Sequence, residues 1–175
     1  MSERDWFEDW FDSKYYHILY KNRDDAEAKK FIYCLMKQLQ LRQGMKLLDL
    51  ACGKGRHSKT LQELGYDVLG VDLSKKSIAD AQRWTNNSLS FKVHDMRAVI
   101  QGHSFDAIFN LFTSFGYFDS PKDNERMCFS IAKMLEPGGI LVIDFMNARK
   151  VIESLVHEEQ KTIEGVFFDI SRRYD

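Results

Sequence analysis

The sequence is poor in proline and cysteine and carries no excess of one charge. Its 175 residues include only 2 prolines and 3 cysteines, and 25 lysines and arginines nearly balance 26 acidic residues. The three cysteines lack the spacing of metal ligands or of a redox pair; they are Cys34, Cys52 and Cys128. We therefore expect no metal centre and a reducing, cytoplasmic environment. The net charge of −1 disfavours attraction to nucleic acid or to an anionic membrane.

Long apolar segments are also missing. No run approaches the ~20 residues that a membrane-spanning helix needs, and the N-terminus has no apolar signal region. The length, together with 44% hydrophobic and 29% charged residues, is typical of one globular domain.

Apolar residues follow two different periods along the chain. Short apolar runs predict strands, and the segments between them carry a helical stripe or a helix-start signal. The strands are expected at residues 45–51, 66–72, 89–94, 105–112 and 139–145, and the helices at 24–42, 56–64, 75–85, 121–135 and 148–157. Because strands and helices alternate, we predict an α/β fold with a doubly wound, mostly parallel sheet.

A glycine turn after the first predicted strand is the most informative local feature. Gly53 and Gly55 allow a ligand to approach the backbone, and the helix that follows offers unpaired N–H groups. Asp72, at the end of the second strand, lies where it could accept hydrogen bonds from a ribose. The combination predicts a site for a nucleoside-containing cofactor.

Two kinds of nucleoside cofactor are open at this point. A nicotinamide or flavin site would have a third glycine, and Ser58 stands in its place. Lys54 would suit a pyrophosphate, whereas the carboxylate of Asp49 would repel it and would suit an ammonium group. The residues therefore favour a cofactor with an amino-acid end over NAD.

The pattern D-x-A-C-G-x-G from Asp49, followed by V-D-L-S from Val71, resembles the class I S-adenosylmethionine-dependent methyltransferases. That family's third strand, its fourth strand with the active-site loop and its fifth-strand signature resemble residues 91–97, 105–118 and 135–145. The motifs are closest to a bacterial, small-molecule branch. The resemblance covers roughly residues 6–175 and implies a Rossmann-like methyltransferase fold. It also implies S-adenosylmethionine as cofactor and S-adenosylhomocysteine as product.

The resemblance assigns roles to individual residues. It implies that Asp49 faces the ammonium group of the cofactor, that Asp72 holds both ribose hydroxyls and that Asp95 accepts from the adenine amino group. Asn110 is expected near the sulfur that carries the methyl group. The expected cofactor-binding set is Asp49, Ala51, Gly53, Gly55, Asp72, Leu73, Asp95, Met96, Asn110 and Leu111.

The loop after the fourth strand is expected to form the acceptor pocket, through Phe112, Phe115 and Tyr117. No residue is assigned as the general base, for which His57, His94 and Tyr117 are only candidates.

Residues 1–23 form an aromatic, acidic segment before the cofactor-binding domain of residues 24–175. In the resembled family such a segment often folds over the cofactor. We therefore expect a lid, with Tyr15, Tyr20 and Arg23 as further candidates for the pocket. The alternative is a surface helix whose aromatic side chains pack on the domain.

The C-terminus departs from the family, whose sheet has seven strands. After the helical segment only residues 162–174 remain, which are enough for one hairpin or two short strands. We expect the last strands to be missing from this chain or to be supplied by a second copy. An open edge on the fifth strand would promote aggregation, so either the tail of the chain or a partner protomer in a homodimer is expected to pair there.

The leading hypothesis is a methyltransferase that acts on a small molecule at a nitrogen, oxygen or carbon atom. The sequence at Asn110 lacks the prolines of the loop that methylates nucleobase amino groups, which disfavours a nucleic-acid substrate. Two alternatives stay open: an NAD-dependent oxidoreductase, and a cofactor-binding fragment without catalytic activity.

Overall fold

The computed structural model describes Phe7, Trp10, Phe11, residues 13–20 and residues 25–174. Its central strands are β1 (Lys46–Leu50), β2 (Asp67–Asp72), β3 (Leu89–Val93), β4 (Phe105–Asn110) and β5 (Leu135–Ile143). They form one sheet in the order β3-β2-β1-β4-β5. Every neighbouring pair is parallel, so the predicted parallel sheet is confirmed.

Helices connect the strands and cover both faces of the sheet. They are α1 (Lys14–Leu19), α2 (Asp25–Leu39), α3 (Arg56–Glu63), α4 (Lys75–Ala81), α5 (Pro121–Met134) and α6 (Ala148–Glu153). In the part of the chain that the structure describes, no helix is both long and apolar enough to cross a membrane.

Strand β1 shows why the sheet needs both layers. Leu47 belongs to the core cluster that contains Ile32 of α2, whereas Leu48 belongs to the cluster that contains Ile131 of α5. Successive side chains of a strand point to opposite faces, and both leucines are fully buried. An apolar run of this kind is stable only in a strand that is covered on both sides.

Helix α4 ends earlier than the sequence predicts. It stops at Ala81 and continues as a short 3-10 turn, Gln82–Trp84. Its start is as expected, because the backbone N–H of Ser77 donates to the hydroxyl of Ser74 at 3.0 Å.

Strand β4 also ends before its predicted boundary, at Asn110 instead of Phe112. Phe112 and Thr113 have φ angles of 58° and 57°. This left-handed conformation is incompatible with an extended strand and is uncommon for residues other than glycine. The chain therefore turns sharply at the carboxyl end of β4.

The C-terminal tail forms its own hairpin, β6 (Glu158–Ile163) and β7 (Val166–Ser171). The two strands pair only with each other and form a separate two-stranded sheet. The expectation that the tail pairs with β5 is therefore wrong, because its own hairpin already supplies partners for its backbone. Leu141 and Ile143 on β5 are each 39% exposed. Pairing of this edge with a second copy stays a prediction.

Candidate active site

A cavity of about 710 Å³ opens at the carboxyl ends of the parallel strands. Chain segments that follow each strand contribute to its wall: Asp95 after β3, Asp72 at the end of β2, Gly53 after β1, Phe112 after β4 and Asp144 after β5. Ligands of open α/β sheets bind at this edge, where the strand order reverses. The strand order therefore also fixes the order of these residues along the cavity.

Gly53 gives the cavity an open stretch of backbone. Its φ angle is 56°, and a methyl group built on its Cα would have no heavy atom within 4 Å. Gly55 is different: a methyl group there would lie 2.5 Å from Cε1 of Phe91, and Gly55 does not line the cavity. The expected approach of a ligand at Gly55 is thus replaced by close packing on β3.

Asp72 is fixed by the backbone around it. The N–H of Gly53 donates to its Oδ2 and the N–H of Ser74 donates to its Oδ1, both at 2.8 Å. The carboxylate thus joins the glycine turn to the start of α4 and lies in the wall of the cavity. A carboxylate that is already oriented can accept from ligand hydroxyl groups at a small cost in conformational entropy.

Asp49 lies behind the cavity wall instead of in it. Its side chain is only 1% exposed and accepts a hydrogen bond from the hydroxyl of Ser58 at 2.5 Å. Burial raises the pKa of Asp49 to about 6, although the Ser58 hydrogen bond opposes this shift. The expected direct contact with an ammonium group is not supported by this placement.

Asp95 lines the cavity and is held by Arg97. The guanidinium donates to its two oxygens through Nε at 3.0 Å and Nη2 at 2.7 Å. Burial would raise the pKa of Asp95, but the hydrogen bonds and charge of Arg97 outweigh it and lower the pKa below its usual value. Leu73 and Met96, which follow β2 and β3, also line the cavity.

Asn110 does not line the cavity, and this placement gives no support to its expected position beside the cofactor's sulfur. The residue is fully buried, and its Nδ2 donates to the carbonyl of Leu50 at 2.9 Å, which ties β4 to β1. Phe115, expected in the acceptor pocket, packs against the core instead. Ala51, Leu111 and Tyr117 line the cavity as predicted.

The sharp turn after β4 is stabilised by Asp144, which the sequence analysis assigned to no role. The N–H of Phe112 donates to Oδ2 of Asp144 at 3.0 Å, and the N–H of Thr113 donates to its carbonyl at 3.1 Å. Backbone strain of this kind persists where surrounding contacts enforce it, often at functional sites. An acidic residue directly after the apolar run Ile140–Ile143 was the available signal.

His57 packs against the ring of Phe112, with 5.0 Å between the ring centroids. Both side chains line the cavity. His57 is 5% exposed, and its Nε2 has no hydrogen-bond partner among the described residues. Burial, assisted by the charge of Arg56, lowers the pKa of His57 to about 3. The imidazole is therefore neutral at physiological pH.

Aromatic side chains from the N-terminal segment close one side of the cavity. The lining includes Phe7, Trp10, Phe11, Tyr16 and Tyr20. The ring of Phe11 lies 5.3 Å from that of Tyr117 in an edge-to-face contact.

Three pocket candidates are predicted in this segment, and of the two that the structure describes, Tyr20 lines the cavity. Tyr15 is 46% exposed and lies under Nζ of Lys14 at 5.1 Å; it does not line the cavity. Arg23 lies outside the described residues.

Among the described residues, Lys54 and Arg56 are the cations that line the cavity, and both have carboxylate partners. Lys54 pairs with Asp80 at 3.0 Å, and Arg56 pairs with Glu27 at 3.3 Å. Among the residues that the structure describes, no group of histidine, cysteine or acidic side chains is arranged to hold a metal ion.

The open glycine turn at Gly53 beside the oriented carboxylate of Asp72 defines a nucleoside-cofactor site of the doubly wound α/β class.

Comparison with known proteins identifies the family. Residues 47–139, just over half of the chain, match the family described as "Methyltransferase domain". Mouse glycine N-methyltransferase is 32% identical over 139 residues, covering 70% of this chain and 46% of that protein.

Solved structures of methyltransferases also resemble this chain. The sugar N-methyltransferase KedS8 of a Streptoalloteichus species has a TM-score of 0.67 and is 28% identical, covering 86% of this chain and 60% of that one. A TehB-like S-adenosylmethionine-dependent methyltransferase of Corynebacterium glutamicum has a TM-score of 0.59 and is 25% identical, covering 77% and 74%. The chain therefore belongs to the S-adenosylmethionine-dependent methyltransferases, which confirms the predicted family, fold class and cofactor.

The chain spans less than half the length of the first curated relatives that it matches. None of the relatives and structures above favours the NAD-dependent alternative.

Proposed function

We propose that this chain binds S-adenosylmethionine and transfers its methyl group to a small molecule. The observation that carries this proposal is the Asp72 carboxylate, held by the N–H groups of Gly53 and Ser74 in the wall of the cavity. It offers the hydroxyl groups of a ribose two acceptor oxygens, beside a backbone that a ligand can approach.

The fit of the cofactor follows the strand order. Asp95 and Met96, after β3, would lie beside the adenine, and Asp72, at the end of β2, would hold the ribose. Gly53, after β1, would lie beside the amino-acid end. A volume of about 710 Å³ is in the range of cavities that enclose small molecules and cofactors. The segments after β4 and β5 are then left for the acceptor.

S-adenosylmethionine supplies a methyl group that its sulfonium already activates, so the protein mainly binds, orients and excludes water. The aromatic residues of the N-terminal segment would exclude water by closing over the cavity. We therefore propose that residues 1–23 act as a lid that is more ordered when the cofactor is bound.

The chemistry of the relatives supports a small acceptor. KedS8 is a sugar N-methyltransferase and the mouse relative is a glycine N-methyltransferase. The near-neutral net charge of −1 gives no general attraction to nucleic acid.

We propose two further properties of the whole molecule. The exposed β5 edge, with Leu141 and Ile143 on it, would pair with a second copy, because an open apolar edge is an aggregation hazard. The three cysteines are free, which is consistent with a cytoplasmic location.

Titration calorimetry tests the proposal. We expect S-adenosylhomocysteine to bind the chain with an affinity at least about tenfold higher than that of NAD, since the glycine turn lacks the third glycine of a dinucleotide site. Preferential binding of NAD would support the oxidoreductase alternative and contradict the proposal. A chain that binds S-adenosylhomocysteine but methylates no small molecule would be the inactive fragment.

A further inference from the structure

The acceptor side of the cavity contains a carboxylate whose hydrogen-bonding capacity is not used up. In the part of the chain that the structure describes, three aspartates line the cavity: Asp72, Asp95 and Asp144. Both oxygens of Asp72 accept from backbone N–H groups, and both oxygens of Asp95 accept from Arg97. Asp144 accepts through Oδ2 only, from Phe112. Among the described residues nothing donates to its Oδ1.

Asp144 also lacks a cationic partner among the described residues. The two cations of the cavity wall, Lys54 and Arg56, pair with Asp80 and Glu27. His57 is on the same side of the site and packs on Phe112, but burial and the charge of Arg56 lower its pKa to about 3, so that it stays neutral. Within the described part of the chain, no ion pair therefore offsets the negative charge of Asp144.

The surroundings of Asp144 fit a cation better than a neutral group. The same cavity is lined by the aromatic rings of Tyr16, Tyr20 and Tyr117, whereas the ring of Phe112 already carries the guanidinium of Arg56 at 4.3 Å. The faces of aromatic rings attract ammonium groups, and a half-buried carboxylate forms a stronger hydrogen bond with a charged donor than with a neutral one. His94, the other histidine of the wall, is bound through Nε2 to the carbonyl of Ala98 at 2.8 Å.

We propose that the acceptor of this enzyme is an amine, whose ammonium form is bound by the free oxygen of Asp144 between the Phe112 turn and the aromatic wall. The inference rests on the proposed methyl transfer and narrows its acceptor from nitrogen, oxygen or carbon to nitrogen.

The transfer step balances with the groups present. The bound ammonium first releases one proton to solvent. The nitrogen lone pair then forms a bond to the methyl carbon, while the carbon–sulfur bond breaks and its electron pair stays on sulfur. The products are S-adenosylhomocysteine and a methylated ammonium, which can again donate to Asp144. Asp144 binds and orients the nitrogen throughout and forms no covalent bond.

The test compares amines with alcohols of the same shape on the chain saturated with S-adenosylhomocysteine, so that no turnover occurs. The probes are benzylamine, 2-phenylethylamine and glucosamine, each against its hydroxyl counterpart, by calorimetry. We expect at least one amine to bind about tenfold or more tightly than its counterpart. If none of the amines binds better than its alcohol, the inference is wrong.

Asp144→Asn is the decisive variant, because asparagine keeps an oxygen for the N–H of Phe112 and removes only the charge. Asp106→Asn is the matched control. Asp106 is also half-buried and accepts one backbone N–H, from Lys46 at 2.8 Å, but it lies at the opposite end of β4 and does not line the cavity. We expect the amine affinity to fall about tenfold or more in Asp144→Asn and to stay unchanged in Asp106→Asn.

Binding of S-adenosylhomocysteine distinguishes a failure of the amine inference from a failure of the proposed function. S-adenosylhomocysteine should bind Asp144→Asn as it binds the unaltered chain, which also shows that the variant is folded. If S-adenosylhomocysteine does not bind the unaltered chain, the proposed function fails, whatever the amines do. If Asp144→Asn weakens S-adenosylmethionine and not the amine, the carboxylate faces the sulfonium and the amine inference is overturned.

Discussion

Replacing Asp49 with asparagine should change how the stability of the protein depends on pH. Burial raises the pKa of Asp49 from 3.8 to about 6, so the native state holds a proton that the unfolded chain releases. This stabilises the protein fully below pH ~4, and the contribution is lost as the pH rises through about 6. The difference between the two values corresponds to about 3 kcal/mol in total.

The contribution of the Asp49 proton to stability can be compared at two pH values. At about pH 5 the proton on Asp49 still contributes about 1.4 kcal/mol to the free energy of unfolding, and at about pH 7.5 it contributes almost nothing. The Asp49→Asn variant has no such titration. Its stability relative to the unaltered chain should therefore be about 1.4 kcal/mol higher at pH 7.5 than at pH 5, which urea unfolding at the two pH values measures.

Ser58→Ala is the companion variant for this prediction. It removes the hydroxyl that donates to Asp49 at 2.5 Å, so it should destabilise the unaltered chain more than the Asp49→Asn background at pH 7.5. The stability of Asp49→Asn relative to the unaltered chain could instead be the same at both pH values, or higher at pH 5. Either result would refute the conclusion that burial raises the pKa of Asp49.

Three further predictions concern the glycine turn, the lid and the sheet edge. Gly53→Ala should lower the affinity for S-adenosylhomocysteine by about tenfold or more, with a loss of stability of roughly 1 kcal/mol. Gly55→Ala should cost about 1–3 kcal/mol of stability, because its methyl group would meet Phe91. Calorimetry measures the affinity and urea unfolding measures the stability; equal effects of the two variants would contradict these roles. S-adenosylhomocysteine should slow tryptic cleavage after Lys14, and an unchanged rate would argue against a lid. Leu141→Lys should convert a dimer to a monomer in analytical ultracentrifugation, and a monomer before the change would exclude pairing at this edge.

The strands could be predicted because their signal is local. A run such as Ile140–Ile143 is apolar throughout, and its length and flanking glycines mark it as a strand without knowledge of its neighbours. The glycine turn and Asp72 were predicted for the same reason, since their roles depend on positions at the ends of strands.

The structure departs from the expected site where the direction of a side chain matters more than its position in the sequence. Asn110 ends β4 two residues before the predicted boundary, and its side chain donates to Leu50 of β1. One residue of difference reverses the face of a strand. The left-handed turn at Phe112 and Thr113 could not be predicted from the sequence, because phenylalanine and threonine rarely adopt a positive φ angle. Asp144 contacts this turn across 32 residues of sequence, which no local pattern records.

The N-terminal segment shows a similar limit. Its aromatic composition pointed to the cavity, but Tyr15 lies outside the cavity lining, because neighbouring residues of a short helix face different directions. Tyr16 and Tyr20, one helical turn apart, line the cavity together, and their rings lie 4.9 Å apart.

The central claim is that the Asp72 carboxylate holds the sugar of the cofactor. Its most direct test is the affinity for S-adenosylhomocysteine of Asp72→Ala, measured by calorimetry beside Asp67→Ala, which removes the same side chain at the exposed, opposite end of β2. With about 1.5–3 kcal/mol for each charge-assisted hydrogen bond, Asp72→Ala should bind at least about tenfold more weakly, and Asp67→Ala should bind like the unaltered chain. Equal affinities of the two variants would contradict the account.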